Sequence, residues 1–157
     1  IMLELWEKPL FPHAINMYHA YWDTLIRQAQ PSLGVKKFMQ DLKRRNIRIG
    51  VGTDMTAYIQ YKKLTALGLA PYVDFIVTSE EAGVEKPDPH LFEICIEKAR
   101  VSADECAFIG DSLKKDVEGS AECGLKGIWY TQGKEPETEV EYPVIQSFET
   151  VDIEELF

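Results

Sequence analysis

The sequence has few cysteines and no long apolar run. Its three cysteines, Cys95, Cys106 and Cys123, are an odd number without regular spacing. This pattern argues against a disulfide framework and fits a reducing, cytoplasmic setting. No apolar stretch approaches the length of a bilayer-spanning helix, so we expect no membrane partner.

Positive charge is also scarce. The 157 residues include 17 Lys and Arg against 26 Asp and Glu, which gives a net charge of -9. Such a balance disfavours nonspecific binding to nucleic acid or to anionic membranes, because phosphate groups attract Lys and Arg. It does not exclude a small anionic substrate, since a few local cations or a bound metal ion can reverse the field in one pocket.

Short apolar segments alternate with amphipathic helical patterns along most of the chain. The predicted strands are 47–51, 75–78, 106–109 and 127–130, with 144–145 as a candidate fifth, and the predicted helices are 34–45, 56–67, 113–123 and one that begins near Pro89. This alternation predicts βαβ units and a doubly wound, three-layer α/β/α fold around a parallel sheet. Ligands of such sheets bind beyond the carboxyl ends of the strands.

A further amphipathic helix is predicted from about Pro12 to Ala29, before a break at Gln30-Pro31-Ser32. It is rich in aromatic residues, which include Tyr18, Tyr21 and Trp22. Two interpretations are open for this stripe. It either packs against the core or belongs to a cap helix whose aromatic residues face a substrate.

Polar side chains follow three of the predicted strands. Thr53 and Asp54 follow the first strand, Lys86 lies in the loop after the second, and Asp111 and Asp116 follow the third. Hydroxyl and ammonium donors stabilise the charge on a phosphoryl group during transfer. Carboxylates are ligands that suit Mg²⁺. Each residue alone has an ordinary structural explanation, whereas the set predicts a site for phosphate chemistry.

Three segments, 49–54, 85–92 and 108–116, resemble successive motifs of the haloacid-dehalogenase-like hydrolase superfamily. They are an apolar strand that ends in Thr, a Lys-Pro-x-Pro-x-x-Phe segment and a Gly-Asp-x-x-x-x-Asp segment. The resemblance covers about residues 33–130 and implies a phosphatase with a helical cap that acts on a small phosphorylated metabolite. It implies phosphate binding by Thr53, Asp54 and Lys86, catalytic roles for Thr53, Lys86 and Asp111, and Mg²⁺ binding by Asp111 and Asp116.

The nucleophile motif of this superfamily, Asp-x-Asp after an apolar strand, is not found in the sequence. Asp23 lies within a helical pattern, and Asp54 already belongs to the second motif. We therefore expect residues 1–31 to be the remnant of a helical cap, and residues 32–157 to be a core without its first strand. On this view the parent protein forms an aspartyl-phosphate, and the chain alone is inactive.

Two other functions stay open at this point. A haloacid dehalogenase shares the fold, but such enzymes work without metal and usually lack the Gly-Asp-x-x-x-x-Asp pattern. A noncatalytic domain on the same fold, or a receiver-like domain, would also use Asp, Thr and Lys. Receivers place the acidic pair before the Thr, whereas here Asp111 and Asp116 come last.

Overall fold

Helices and strands alternate in the computed structural model, which describes residues 11–136 and 139–156. The helices are α1 (Phe11–Gln28), α2 (Val35–Arg44), α3 (Ala57–Ala66), α4 (Ser79–Ala82), α5 (Pro89–Ala99), α6 (Gly119–Glu122) and α7 (Ile153–Leu156). The strands are β1 (Gly50–Thr53), β2 (Phe75–Thr78), β3 (Ala107–Gly110), β4 (Lys126–Tyr130) and β5 (Val144–Ile145), and a π-helix (Leu113–Glu118) precedes α6. The predicted α/β class is confirmed. None of the described helices is both long and apolar enough to cross a membrane.

All strand pairs are parallel, but the described strands form two sheets rather than one. β1 pairs with β2, and β3 pairs with β4, which pairs with β5. β1 and β3 are not paired with each other, and the Phe108 ring of β3 lies 3.0 Å from where a Cβ on Gly52 of β1 would be. Each of these two strands therefore has one edge to which no described strand is paired.

The first strand begins later than the apolar pattern predicted. Ile47 to Val51 was the expected strand, whereas β1 begins at Gly50. The Asp74 carboxylate accepts a hydrogen bond from the Ile49 N–H at 2.7 Å, and the Asp74 N–H donates to the Ile49 carbonyl at 2.8 Å. A side chain thus accepts from the Ile49 N–H in place of a strand carbonyl, and the paired strand begins at Gly50.

The core forms where helices cover the two sheets. Phe38 and Leu42 of α2 pack with Ile128 of β4 and Ile145 of β5, and α2 also buries Met39. Full burial of one such side chain contributes about 1.5–3 kcal/mol. The amphipathic helix predicted at 34–45 is therefore confirmed, and its buried side chains anchor the helix that leads into β1.

Helix α1 is mostly exposed, unlike the other long helices. Ile26 is buried, but Tyr18, Tyr21 and Leu25 are exposed. The interpretation of the aromatic stripe as core-facing is wrong for these residues, because sequence periodicity shows a face and not its partner. The helix contacts α3, where Asp23 forms an ion pair with Lys62. Assignment of residues 1–31 to a cap stays a prediction, and residues 1–10 lie outside the described part.

Candidate active site

Thr53 is the last residue of β1, so its side chain lies at the carboxyl end of the strand. Its hydroxyl oxygen accepts a hydrogen bond from the Met55 N–H at 3.2 Å. The hydroxyl hydrogen remains available to donate, since a hydroxyl can do both. The Ser79 hydroxyl donates to the Asp54 carbonyl at 3.0 Å and ties this turn to the end of β2. The turn is therefore held in place before any ligand binds.

Lys86 lies between the carboxyl ends of β1 and β3. Its Nζ donates to the Gly52 carbonyl at 3.3 Å and to Asp116 Oδ1 at 2.7 Å. The Lys86 side chain is 13% exposed and the Asp116 side chain 6%. Hydrogen bonds between charged groups in such a setting are short and strong. The peptide bond between Lys86 and Pro87 is cis.

Asp116 reaches this ammonium group because two local features make room for it. A Cβ at Gly110 would overlap the Asp116 side chain, so only glycine fits at the end of β3. The chain then turns through the π-helix, a form often seen at functional sites. Asp116 Oδ2 accepts a hydrogen bond from the Ser112 N–H at 3.0 Å. Both carboxylate oxygens of Asp116 therefore already have partners.

Asp111 is exposed, in contrast to Asp116. Gln132 Nε2 donates to Asp111 Oδ2 at 3.0 Å, and Trp129 Nε1 donates to the Asp111 carbonyl at 3.0 Å. An exposed carboxylate suits Mg²⁺, which takes one or two carboxylates and fills its other positions with water and substrate oxygens. Within residues 11–136 and 139–156, no three His, Cys, Asp or Glu side chains are grouped closely enough to hold a metal ion.

The Asp54 carboxylate is also occupied. Asp54 Oδ1 accepts from the Lys86 N–H at 2.9 Å, and Asp54 Oδ2 accepts from Lys115 Nζ at 3.1 Å. Lys115 Nζ lies 3.7 Å from Glu85 as well. The hydrogen bond to Asp54 and the nearby acidic charges raise the pKa of Lys115. A carboxylate repels phosphate, so any phosphate contact of Asp54 would come from its backbone N–H.

Cys95 lies beneath this site and has no charged partner. Its Sγ is 3.2 Å from where a Cβ on Gly52 would be. Burial raises the pKa of the Cys95 thiol to about 11, although the positive charges of Lys86 and Lys98 act in the opposite direction. The interior below the site thus disfavours a lone charge.

Some of the site residues predicted from the sequence contact one another in the structure, and others do not. Lys86 contacts Asp116 directly and is joined to Asp54 through its backbone. Thr53 follows Gly52, whose carbonyl accepts from Lys86. In the described part of the chain, Asp111 is bonded to none of these side chains. Two further polar residues at the site, Lys115 and Gln132, were not predicted. Gln132 could have been found by applying the strand-end rule to the fourth predicted strand, whereas Lys115 had no sequence signal.

The candidate site lies at the carboxyl ends of parallel strands and contains a hydroxyl, an ammonium group and carboxylates. This is where α/β proteins bind their ligands. Comparison with known families makes the class more specific. The family model for haloacid dehalogenase-like hydrolases matches residues 5–124, which is more than half of the chain. The chain therefore belongs to the haloacid dehalogenase-like hydrolase family, as the three motifs predicted.

Individual relatives include phosphatases and a dehalogenase. The chain is 31% identical over 122 residues to a ribulose-1,5-bisphosphate 5-phosphatase from Halopiger xanaduensis, a match that covers 78% of this chain and 51% of the relative. The chain thus spans about half the length of such curated relatives.

Two solved structures have the same fold. One is the putative HAD-hydrolase YfnB from Bacillus subtilis bound to magnesium, with a TM-score of 0.67, 28% identity and coverage of 74% of this chain and 52% of that one. The other is a 2-haloacid dehalogenase from Pseudomonas syringae, with a TM-score of 0.65, 30% identity and coverage of 78% and 51%.

Proposed function

We propose that this chain is the phosphate- and metal-binding part of a Mg²⁺-dependent phosphatase that hydrolyses small phosphate monoesters. The observation that carries the proposal is the position of Lys86. Its ammonium group is fixed between the Gly52 carbonyl of β1 and the Asp116 carboxylate of the π-helix. Belonging to the hydrolase family and similarity to a sugar-bisphosphate phosphatase support the same activity.

Each site residue has a separate role in the proposed phosphoryl transfer. The Thr53 hydroxyl and backbone N–H donate hydrogen bonds to phosphoryl oxygens, and the Lys86 ammonium lies against the same group. Their positive partial and full charges stabilise the transition state more than the ground state. Asp116 serves as the positioning residue for Lys86, because its Oδ1 receives the ammonium at 2.7 Å.

Asp111 is the residue that would hold Mg²⁺, and the chemistry of its exposed carboxylate fits that ion. The cation would supply charge neutralisation on the phosphoryl oxygens. Asp116 was predicted as a second metal residue. Its oxygens accept from Lys86 and from the Ser112 N–H. Any contribution of Asp116 to the cation would therefore add to these bonds rather than replace them.

The nucleophile of the proposed reaction is an Asp outside these 157 residues. In the described part of the chain, β1 and β3 each have one edge with which no strand pairs. A parallel strand that paired with both edges would end between Thr53 and Asp111. The carboxylate of an Asp at the end of such a strand would attack phosphorus and form the aspartyl-phosphate as the ester phosphorus–oxygen bond breaks. The leaving oxygen takes up a proton and departs as the alcohol, and water then hydrolyses the aspartyl-phosphate to inorganic phosphate.

The first experiment tests phosphate binding by this chain. Inorganic phosphate with Mg²⁺ is expected to shift the amide NMR signals of residues 52–54, and Thr53→Val should weaken this binding several-fold. Thr65→Val is a matched control and should leave binding unchanged, because it removes a hydroxyl that donates to the Tyr61 carbonyl within α3 and lies outside the proposed phosphate site. Equal binding by the wild type and Thr53→Val would contradict the assignment of Thr53.

The second experiment tests the external nucleophile. This chain with Mg²⁺ should not turn over an aryl phosphate, and the gene upstream of Ile1 should encode Asp-x-Asp after an apolar strand. Robust hydrolysis that disappears in Asp111→Asn would place the nucleophile within these residues instead. An upstream sequence without the motif would argue against the phosphatase.

A noncatalytic domain is the second candidate, and one observation favours it: no Asp-x-Asp follows a strand in this sequence. Such a domain would bind phosphate without turnover. A dehalogenase stays a third alternative because of the structural similarity described above. Metal separates it from the phosphatase, since chelation of Mg²⁺ should abolish phosphatase activity and leave dehalogenation intact.

A further inference from the structure

The turn after β4 carries a side chain that the proposed reaction does not use. Thr131, Gln132 and Gly133 follow the strand, and Gln132 points its amide at Asp111, with 3.0 Å between Nε2 and Oδ2. Within the described residues, this is the one hydrogen bond to the Asp111 carboxylate. The exposed residue proposed to bind the cation is therefore oriented by a segment far from it in sequence.

The backbone around Gln132 is held on both sides. The Thr131 N–H donates to the Ile145 carbonyl at 2.9 Å, and the Gly133 N–H donates to the Gln146 carbonyl at 2.8 Å. Gln132 itself has a φ of 55°, in the left-handed region that residues other than glycine seldom adopt. Strained conformations of this kind persist where the surroundings fix them, and they occur often at functional sites.

A second contact fixes the same target residue. Trp129 of β4 donates its indole N–H to the Asp111 carbonyl at 3.0 Å. β4 and its following turn thus hold both the backbone and the side chain of Asp111. Partners of this kind orient a metal-binding side chain and raise the affinity for the ion, although they do not touch it.

We infer that Gln132 is a positioning residue that fixes the Asp111 carboxylate for cation binding. This inference rests on the proposed function, in which Asp111 holds Mg²⁺. Gln132 donates to one oxygen of the carboxylate and so limits its rotation. The carboxylate is then already oriented when the cation arrives, and less conformational entropy is lost on binding.

The inference can be tested by Mn²⁺ binding, followed by electron paramagnetic resonance on this chain, without any need for turnover. Mn²⁺ suits carboxylate and water ligands in the same way as Mg²⁺. The test variant is Gln132→Gly, which removes the amide and keeps a backbone that tolerates the φ of 55°. The expected result is Mn²⁺ affinity about tenfold weaker than in the wild type, with an unchanged thermal midpoint.

Gln146→Ala is the matched control. Gln146 donates its side-chain amide to Glu135 at 2.8 Å and lies beside the same turn, but it has no bond to Asp111. Its removal should leave Mn²⁺ affinity unchanged. Equal weakening by both variants would overturn the inference, because the effect would then belong to the turn as a whole.

Two further outcomes separate this inference from the proposed function. Wild-type affinity in Gln132→Gly, together with loss of binding in Asp111→Asn, would overturn the role of Gln132 and leave the metal assignment intact. Equal Mn²⁺ binding by the wild type and Asp111→Asn would remove the cation from Asp111. That result would overturn the inference and the metal part of the proposed function together.

Discussion

Two ion pairs join the π-helix to the loops after β2 and β1, and they differ mainly in burial. Lys86 reaches from the loop after β2 to Asp116 in the π-helix, whereas Lys115 of the π-helix reaches back to Asp54 after β1. The first pair is 13% and 6% exposed, and the second is 48% and 24% exposed. Burial makes a broken pair costly, because the remaining charge has lost its water, whereas an exposed partner is simply hydrated again.

The difference in burial gives the two ion pairs different roles. The buried pair forms part of the folded interior and brings an ammonium group to the proposed phosphate site. The exposed pair links two loops at the surface and contributes little to stability. Salt and solvent screen it, so it can rearrange when a charged ligand enters.

The largest effect is expected from Lys86→Met, which leaves Asp116 buried without its partner. The free energy of unfolding should fall by about 3–5 kcal/mol, measured by urea denaturation. Addition of Asp116→Asn should recover part of the loss, because the lone charge is gone. A loss no greater than that of Lys115→Met would remove the distinction between the two pairs.

Gly110→Ala sharpens the comparison by moving one partner of the buried pair. A Cβ at Gly110 would overlap Asp116, so the carboxylate must shift away from Lys86. The expected destabilisation is about 1–3 kcal/mol. A double-mutant cycle with Asp116→Gly checks the cause, since the cost of Gly110→Ala should shrink when residue 116 has no Cβ to meet the new one.

The thiol of Cys95 tests whether burial in the same interior destabilises a thiolate that has no ion-pair partner. The thiol of the unfolded chain ionises near its ordinary pKa of 9.0, whereas the folded thiol keeps its proton to about 11. The folded state then binds more protons, so its stability should fall as the pH rises from about 9 to about 11. Denaturation of Cys95→Ala across this range should show a shallower decline, and equal slopes would contradict the expectation.

Lys115→Met should have the smallest effect. Exposed pairs contribute about 0.2–1 kcal/mol, and the difference from the wild type should shrink further in high salt. The measurement is again urea denaturation, at low and high ionic strength. A loss of unfolding free energy that is independent of salt and as large as that of Lys86→Met would show that this pair is shielded from solvent.

The sequence predicted the parts of the fold that local pattern controls. β2 and the start of α5 lie where they were expected, because an apolar run and an Asp-Pro pair mark them without ambiguity. The start of β1 was misplaced because the Asp74 side chain, 25 positions away, accepts from the Ile49 N–H in place of a strand carbonyl. The exposed side of α1 was not predictable either, since periodicity does not show what a helix packs against.

The candidate site was predictable in composition but not in contacts. The strand-end rule identified Thr53, Lys86 and Asp111. It could not show that Asp116 is paired with Lys86, because that contact depends on the missing Cβ of Gly110 and on the π-helix. The bond from Gln132 to Asp111 depends on a left-handed residue in the turn after β4, which no motif indicates.

The unpaired edges of β1 and β3 affect how this chain behaves in solution. Strands with unpaired backbone groups are templates for other strands, and proteins normally protect them with charge, proline or a covering element. Gly50, Val51 and Gly52 in β1, and Phe108 and Ile109 in β3, carry no charge. When produced alone, the chain should therefore associate with itself as its concentration rises, and a strand that pairs with both edges should keep it monomeric.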